Sequence, residues 1–191
     1  MSRITGSVVY LPYDDLDTDQ IIPAHFVTNF RLRGFSNALF ANRRLDERFP
    51  LNFPDSQGAT ILVAGENFGC GSSREAAVWA IQQAGFVAVI APSFGDIFAE
   101  NAAHCGLVAA VVDRKEFCSL TQYYEKHRGD LVVLDVLSRT LTLSDGSVLN
   151  VFLSDKHLRA IESSANLMSN AVNRRNMVSD WLNRKDSIYG R

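Results

Sequence analysis

The chain has 191 residues and a net charge of −2, with 47% hydrophobic and 21% charged residues. These values favour a single globular domain spanning residues 1–191 and exclude a strongly basic surface for nucleic acid. No apolar run is long enough to span a membrane, and the N-terminus lacks the apolar core of a secretory signal. The three cysteines are widely spaced and form no CxxC pair, so we expect a cytoplasmic protein that binds no metal itself.

The chain begins with a strand that leads into an acidic turn. Residues 6–11 are apolar and are followed by a proline, which predicts the strand. Four aspartates lie within the next eight residues: Asp14, Asp15, Asp17 and Asp19. Because so many carboxylates cannot be buried without partners, a solvated turn and a functional role both stay open for Asp14 and Asp15. A calcium loop is a poor match. Three of the aspartates have its spacing, but Gln20 and Phe26 stand where its glycine and its bidentate glutamate are needed.

Residues 24–58 are the least regular part of the chain, and arginines alternate there with phenylalanines. The arginines are Arg31, Arg33, Arg43, Arg44 and Arg48, and the phenylalanines are Phe26, Phe30, Phe35, Phe40, Phe49 and Phe53. This pattern predicts a long surface loop that its aromatic side chains anchor to the core. We expect most of the arginines in solvent, while one or two are candidates for binding an anion, because guanidinium groups bind carboxylates bidentately.

The central motif is a glycine-rich loop between an apolar strand, predicted at 60–64, and a helix, predicted at 73–84. The loop reads Gly65-Glu-Asn-Phe-Gly-Cys-Gly-Ser-Ser-Arg-Glu75. Glycine allows a ligand to approach the backbone closely, and a helix N-terminus offers unpaired N–H groups with a partial positive charge. The loop therefore predicts an anion site that carries Ser72, Ser73 and Arg74.

Three common glycine-loop motifs do not fit this segment. A dinucleotide-binding fingerprint needs a third glycine where Arg74 stands. A P-loop needs a lysine where Ser72 stands, and a nucleophile elbow needs a second glycine where Glu75 stands. The loop is therefore assigned neither to a nucleotide site nor to an esterase site.

Ser72 has two interpretations, and the sequence leaves both open. Ser72-Ser-Arg-Glu75 has the form of a capping box, in which Ser72 accepts the Glu75 N–H. A cap does not need three preceding glycines or an arginine in the first turn, where the helix dipole disfavours it. Alternatively, Ser72 is a base that removes a proton next to a carboxylate, with N–H groups and Arg74 stabilising the negative charge. The chain offers no Lewis acid for removing a neighbouring hydroxyl, so this interpretation gives half of a dehydratase site.

The rest of the chain predicts alternating strands and helices followed by a meander. The predicted strands are 86–91, 107–112, 131–136, 140–143 and 147–152, and the predicted helices are 94–104, 113–127, 156–164 and a docked tail within 166–191. Strands that alternate with helices are typical of a parallel layer with crossover helices. The later strands surround an Asp-Gly turn and are typical of antiparallel hairpins.

Three motifs together resemble a known family. They are Asp17-Thr-Asp-Gln-Ile-Ile-Pro23, Glu66-Asn-Phe-Gly-Cys-Gly-Ser-Ser-Arg-Glu75 and Ile90-Ala-Pro-Ser-Phe-Gly-Asp-Ile-Phe98. In this order and spacing the chain resembles the small subunits of the 3-isopropylmalate dehydratase family, in the aconitase superfamily. The resemblance covers most of the chain and is weakest at 27–50 and after about 155. It implies an α/β fold of the aconitase C-terminal type, a three-layer β/β/α swivelling domain with a mixed sheet and crossover helices.

The resemblance also implies a reaction and a partner. The reaction is the isomerisation of 2-isopropylmalate to 3-isopropylmalate through isopropylmaleate, in leucine biosynthesis. The partner is a large subunit that carries a [4Fe-4S] cluster, whose open iron binds the substrate hydroxyl. We expect a heterodimer of the two chains, and the sequence leaves a heterotetramer open. The implied catalytic residue is Ser72, and the implied substrate-binding residues are Ser73, Arg74, Asp19, Arg31, Arg33 and Gly71.

The chain departs from the family pattern at three places. Ala76 replaces a histidine, Leu32 replaces an arginine, and Ala109-Ala110 stand where the family has a proline. These changes leave open a related hydro-lyase that acts on another alkylmalate, such as a methylmalate–methylmaleate pair. The residues alone also allow a stand-alone anion-binding module.

Overall fold

The computed structural model describes residues 3–28, 35–155, 157–161 and 163. Within these residues seven strands form one mixed sheet, in the order β4-β3-β2-β1-β5-β6-β7. The strands are β1 (Arg3–Leu11), β2 (Ile61–Ala64), β3 (Ala88–Ala91), β4 (Val108–Val111), β5 (Leu131–Asp135), β6 (Thr140–Thr142) and β7 (Val148–Asn150). Strands β1 to β4 are parallel, whereas β5 to β7 are antiparallel to their neighbours. The two halves of the sheet meet at β1.

Helices connect the parallel strands. The described helices are α1 (Thr18–Ile21), α2 (Ala24–Thr28), α3 (Glu75–Gln83), α4 (Asp96–Cys105) and α5 (Arg114–Lys126), with 3-10 turns at Ser36–Ala38, Arg43–Leu45, Pro50–Asn52 and Pro54–Ser56. Helix α3 joins β2 to β3, and α4 joins β3 to β4. Glycines end both helices, because Gly85 and Gly106 adopt the positive φ of a helix C-terminus. Asp113 caps α5 by accepting the Glu116 N–H at 2.8 Å, as the sequence predicts.

Two apolar clusters cover the two faces of the parallel strands. On one face Leu62 and Val89 pack with α3, α4 and the segment from Phe35 to Leu51. On the other face Ile61 and Ile90 pack with α5 and with the antiparallel strands. The antiparallel half therefore folds back over the parallel half and makes the third layer. This arrangement confirms the predicted α/β fold of β/β/α type with a mixed sheet.

The two ends of the sheet approach each other. Val111, in the edge strand β4, forms an antiparallel bridge with Phe152, which follows β7. Their backbones exchange two hydrogen bonds, of 2.9 and 2.6 Å. This bridge curls the sheet around the second cluster and pairs part of an edge that would otherwise be open.

The segment between α1 and β2 packs closely where the structure describes it. Phe35, Phe40 and Phe49 are at most 1% exposed, which confirms that aromatic side chains anchor this segment to the core. Several predicted features lie outside the described residues: Phe30, Arg31, Leu32, Arg33 and the docked tail at 166–191. A helix near the predicted 156–164 is present at 155, 157–161 and 163, and Ser154 Oγ accepts the His157 N–H at 3.1 Å.

Candidate active site

Three loops meet at the carboxyl ends of the parallel strands β1, β2 and β3. The acidic turn joins the glycine loop through Asp14, whose Oδ1 accepts the Glu66 N–H at 2.7 Å. The glycine loop joins the start of α4, since the Phe68 N–H donates to Ser93 O at 3.0 Å and the Gly95 N–H donates to Phe68 O at 2.9 Å. Ligands of open parallel sheets bind in this position, so the topology supports the predicted location of the site.

Glycines let these loops touch backbone to backbone. A Cβ on Gly95 would stand 2.7 Å from Gly69 O, closer than real Cβ atoms come to other groups. Gly69 has φ +75 and faces Phe98, which is 2% exposed. The glycines therefore serve the packing of the loop against α4 as well as access to a ligand.

The capping-box interpretation of Ser72 is wrong. Helix α3 begins at Glu75, and its N-cap is Arg74, which has an extended backbone and makes no side-chain capping bond. The Ser72 hydroxyl makes no hydrogen bond to any described residue, and Ser72 and Ser73 are both exposed. The predicted helix start at 73 is therefore two residues too early. The cause is tertiary, because Thr18 holds the backbone on either side of Gly71 outside the helical path.

Arg74 has an acidic partner from the other side of the site. Its guanidinium forms an ion pair with the Asp19 carboxylate, 55 residues away in sequence. The side chain of Arg74 is 25% exposed and that of Asp19 is 56% exposed. The unfavourable position of a cation at a helix N-terminus is thus offset by a neighbouring anion.

The acidic turn is an ordered structure with partners for each aspartate. Asp17 caps α1 by accepting the Gln20 N–H at 2.7 Å. Asp14 binds the Glu66 N–H, and Asp15 Oδ1 accepts from Asn67 Nδ2 at 2.7 Å. The structure therefore gives Asp14 and Asp15 a role in joining the turn to the glycine loop. No cluster of three or more His, Cys, Asp or Glu side chains in the described residues could hold a metal ion.

The described arginines of the long segment bind groups of the protein itself. Arg43 donates to Gln20 Oε1, next to Asp19 in sequence, and lies 4.7 Å from the centre of the Tyr13 ring. Arg44 and Arg48 bind within their own segment, to Asn52 and Leu51 O and to Asp46 respectively. The predicted substrate contacts Arg31 and Arg33 lie outside the described residues. Ala76, where the family pattern has histidine, is 7% exposed and packs in the first apolar cluster.

The backbone of the glycine loop offers free donors. In the described part of the chain, the N–H groups of Gly71 and Ser73 donate to no other group. Gly71 lies three residues and Ser73 one residue before Arg74, so the exposed side of the loop carries a cation, two hydroxyls and two N–H donors. Burial and the nearby Asp17 and Asp15 carboxylates raise the pKa of the Cys70 thiol, which favours its neutral form. The cation, hydroxyls and N–H donors on the exposed side of the loop can bind a carboxylate and stabilise negative charge on it.

Sequence reasoning missed Thr18. It is 2% exposed and is the one buried polar residue among those described. Its Oγ1 donates to Ser72 O at 3.1 Å, and its N–H donates to Cys70 O at 3.0 Å. No local sequence pattern predicts these contacts, because they depend on the parallel pairing of β1 with β2.

Comparisons with known proteins agree with this geometry. Residues 2–115 match the family of the aconitase C-terminal domain. The chain is 47% identical to the 3-isopropylmalate dehydratase small subunit of Roseiflexus castenholzii, over 76% of this chain and 74% of that protein. It is 43% identical to the protein of the same name from Francisella tularensis subsp. novicida, over 76% of this chain and 77% of that protein.

A solved structure is also similar. The crystal structure of 3-isopropylmalate dehydratase from Methanocaldococcus jannaschii has a TM-score of 0.66 and 29% identity with this chain. The match covers 93% of this chain and 98% of that one.

No helix in the described part of the chain is long and apolar enough to cross a membrane. The family resemblance of the three motifs is thus confirmed, and the chain belongs to the aconitase C-terminal domain family, among the small subunits of 3-isopropylmalate dehydratase.

Proposed function

We propose that this chain supplies the base and the carboxylate-binding groups of an active site that it shares with a large subunit. The reaction is that of 3-isopropylmalate dehydratase, which isomerises 2-isopropylmalate to 3-isopropylmalate through isopropylmaleate in leucine biosynthesis. The observation that carries the proposal is the state of Ser72. Ser72 is exposed and its hydroxyl caps no helix. In the chain it stands two residues before Arg74 and between Gly71 and Ser73, whose N–H groups bind no other group in the described part of the protein.

The residues of this chain have separate tasks in the proposed reaction. Arg74 and Ser73 bind a substrate carboxylate. Ser72 acts as its alkoxide, which the neighbouring N–H groups and the guanidinium stabilise, and its Oγ takes the proton from the carbon next to the carboxylate and becomes a hydroxyl. Removal of that proton pushes negative charge into the carboxylate. The two N–H groups and the guanidinium stabilise that charge, which lowers the barrier. In the hydration step the proton returns from Ser72 to carbon.

Asp19 orients Arg74 in this proposal. The guanidinium is planar and binds anions in a fixed geometry, so a partner on one side determines which donors remain for a substrate. Asp19 holds Arg74 from the acidic turn and leaves the rest of the guanidinium for the carboxylate. Arg31 and Arg33 are proposed as further carboxylate contacts, on the basis of the family resemblance alone.

The cluster belongs to the partner in this proposal. Cys70, Cys105 and Cys118 lie in the glycine loop, in α4 and in α5, and the described residues offer no set of three metal ligands. These residues do not fit a [4Fe-4S] cluster, so we assign the cluster to the large subunit, where it would bind the substrate hydroxyl. A cytoplasmic heterodimer is part of the same proposal.

The test is Ser72→Ala in the complex reconstituted with the large subunit. Turnover of 2-isopropylmalate is expected to fall by at least about 100-fold, since an alanine cannot take the proton. The free energy of unfolding should stay within about 0.5 kcal/mol of wild type, because the side chain is exposed and unbonded. Ser119→Ala, on the remote helix α5, is the matched control and should be fully active. A fully active Ser72→Ala complex would exclude Ser72 as the base.

Two further measurements separate the alternatives. Comparing kcat/KM for 2-isopropylmalate and a methylmalate identifies the alkylmalate, and a preference for the methylmalate would overturn the substrate while leaving the base in place. Calorimetry with the isolated chain addresses the stand-alone binding module. Tight binding of a dicarboxylate without the large subunit would favour that module over a shared active site.

A further inference from the structure

Thr18 occupies an unusual position for a polar side chain. It is 2% exposed, and burying a hydroxyl without a hydrogen bond is costly. Its Oγ1 meets this need by donating to Ser72 O at 3.1 Å, while its N–H donates to Cys70 O at 3.0 Å. One residue thus binds two carbonyl groups of the glycine loop, one on each side of Gly71.

These two bonds determine where the neighbouring N–H groups point. Every peptide bond in the described residues is trans, and in a trans peptide the N–H points opposite to the C=O. Because the carbonyls of Cys70 and Ser72 point toward Thr18, the N–H groups of Gly71 and Ser73 point away from it. Thr18 is buried and Ser72 and Ser73 are exposed, so these donors face the open side of the loop.

The conformation between the two bonds is one that glycine favours. Gly71 has φ +90, and a Cβ there would be 3.6 Å from Asp17 Cβ and 3.8 Å from Thr18 Oγ1. A side chain at position 71 would therefore have enough room, and it is the positive φ of the backbone that favours glycine there. Without a donor at Ser72 O, the peptide between Ser72 and Ser73 loses a bond that fixes its rotation.

We propose that Thr18 is a positioning residue of the active site, whose hydroxyl aims the Ser73 N–H at the substrate carboxylate and holds Ser72 beside it. The inference rests on the proposed function, because it assigns a task to the loop that carries the base. Thr18 touches no reacting atom in this scheme and acts only through the backbone of the loop. The methyl group serves packing, and the hydroxyl serves orientation.

The experiment compares three variants in the complex with the large subunit and 2-isopropylmalate. Thr18→Val keeps the shape and the backbone bond to Cys70 but removes the hydroxyl, and kcat is expected to fall about 10- to 100-fold, as small misplacements of reacting groups do. Thr18→Ser keeps the hydroxyl and should retain kcat within about threefold of wild type. Thr60→Val removes a buried hydroxyl that has no partner among the described residues, and it is the matched control, with unchanged kcat.

Stability and positioning are separated by the design. Rates are normalised to the folded fraction from urea titrations, and Thr18→Ala provides a second hydroxyl deletion if valine prevents folding. Equal losses in the Ser and Val variants, or wild-type kcat in both Val and Ala, would overturn the proposal. Ser72→Ala, measured in parallel, distinguishes a failure of the Thr18 proposal from a failure of the proposed function. If Ser72→Ala abolishes turnover while Thr18→Val is fully active, only the role of Thr18 fails. If Ser72→Ala is active, the proposed function fails.

Discussion

Gly69→Ala tests whether the glycine loop is shaped by its contact with α4. An added Cβ would stand 2.6 Å from Phe98 Cδ2 and 2.7 Å from Phe98 Cβ. Carbon atoms pack favourably at about 3.5–4.0 Å, so either the ring or the loop must move by about 1 Å. The ring has little freedom, since it packs edge-on against Phe68 at 5.2 Å and stacks on Phe94 at 6.1 Å between ring centres.

The loss of stability that we expect in Gly69→Ala has two parts. A non-glycine residue at φ +75 costs about 1–2 kcal/mol. Overpacking the buried contact with Phe98 costs about 1–3 kcal/mol more. The free energy of unfolding should therefore fall by about 2–5 kcal/mol, and the start of α4 should be disturbed with it.

Gly58→Ala is the matched control. Gly58 has φ +78, almost the same backbone angle, but no atom of the described residues lies within 4 Å of the position that a Cβ would take there. This variant should lose only the backbone part, about 1–2 kcal/mol. Both are measured by urea unfolding of the isolated chain, followed by circular dichroism. If Gly69→Ala costs no more than Gly58→Ala, the contact with Phe98 does not shape the loop.

Three other predictions concern stability. Thr60→Val should raise the free energy of unfolding by about 1 kcal/mol, because it removes a buried hydroxyl that has no partner in the described part of the protein; a lower free energy of unfolding in urea titrations would contradict this. Asp113→Ala should lower it by about 1 kcal/mol through loss of the α5 cap, and an unchanged urea midpoint would refute that role. The hydrogen bond from Arg3 lowers the pKa of Asp135 to about 2, so this stabilisation is present above about pH 4 and is lost as the pH falls toward 2. The Tm of Asp135→Asn should lie below wild type at pH 6 and meet it near pH 2, and a difference independent of pH would contradict the assignment.

The parallel half of the fold could be predicted because its signals are local. Continuous apolar runs give β2, β3 and β4, and Gly85 and Gly106 mark the ends of the helices between them. The place of β1 could not be predicted in this way. It pairs with β2 on one side and with β5 on the other, and these partners are distant in sequence.

The site, like the fold, has features that follow from local sequence and features that depend on long-range contacts. The family motifs give Ser72, Ser73, Arg74 and Asp19 as candidates, and the structure brings Asp19 to Arg74. The local S-x-x-E pattern favours a cap, but the bonds from Thr18 to the loop prevail over it. A capping bond contributes about 1 kcal/mol, and the two hydrogen bonds from Thr18 contribute about 0.5–1.5 kcal/mol each, so together they match or exceed the cap. Sequence patterns therefore identify the groups, whereas long-range pairing decides their orientation.

The ion pair between Arg74 and Asp19 is weak because it is partly exposed to solvent. Asp19 is 56% exposed, and exposed ion pairs contribute about 0–1 kcal/mol, so the pair stabilises the fold little. A weak pair still serves orientation, because it keeps the Arg74 guanidinium at the mouth of the loop without holding it tightly. In the proposed reaction, a substrate carboxylate that approaches the N–H groups of Gly71 and Ser73 therefore shares Arg74 at small cost. In the proposed reaction the negative charge that develops on the carboxylate then strengthens its own contacts, while the Asp19 contact stays constant. Binding energy is thus concentrated in the transition state, where it accelerates the reaction.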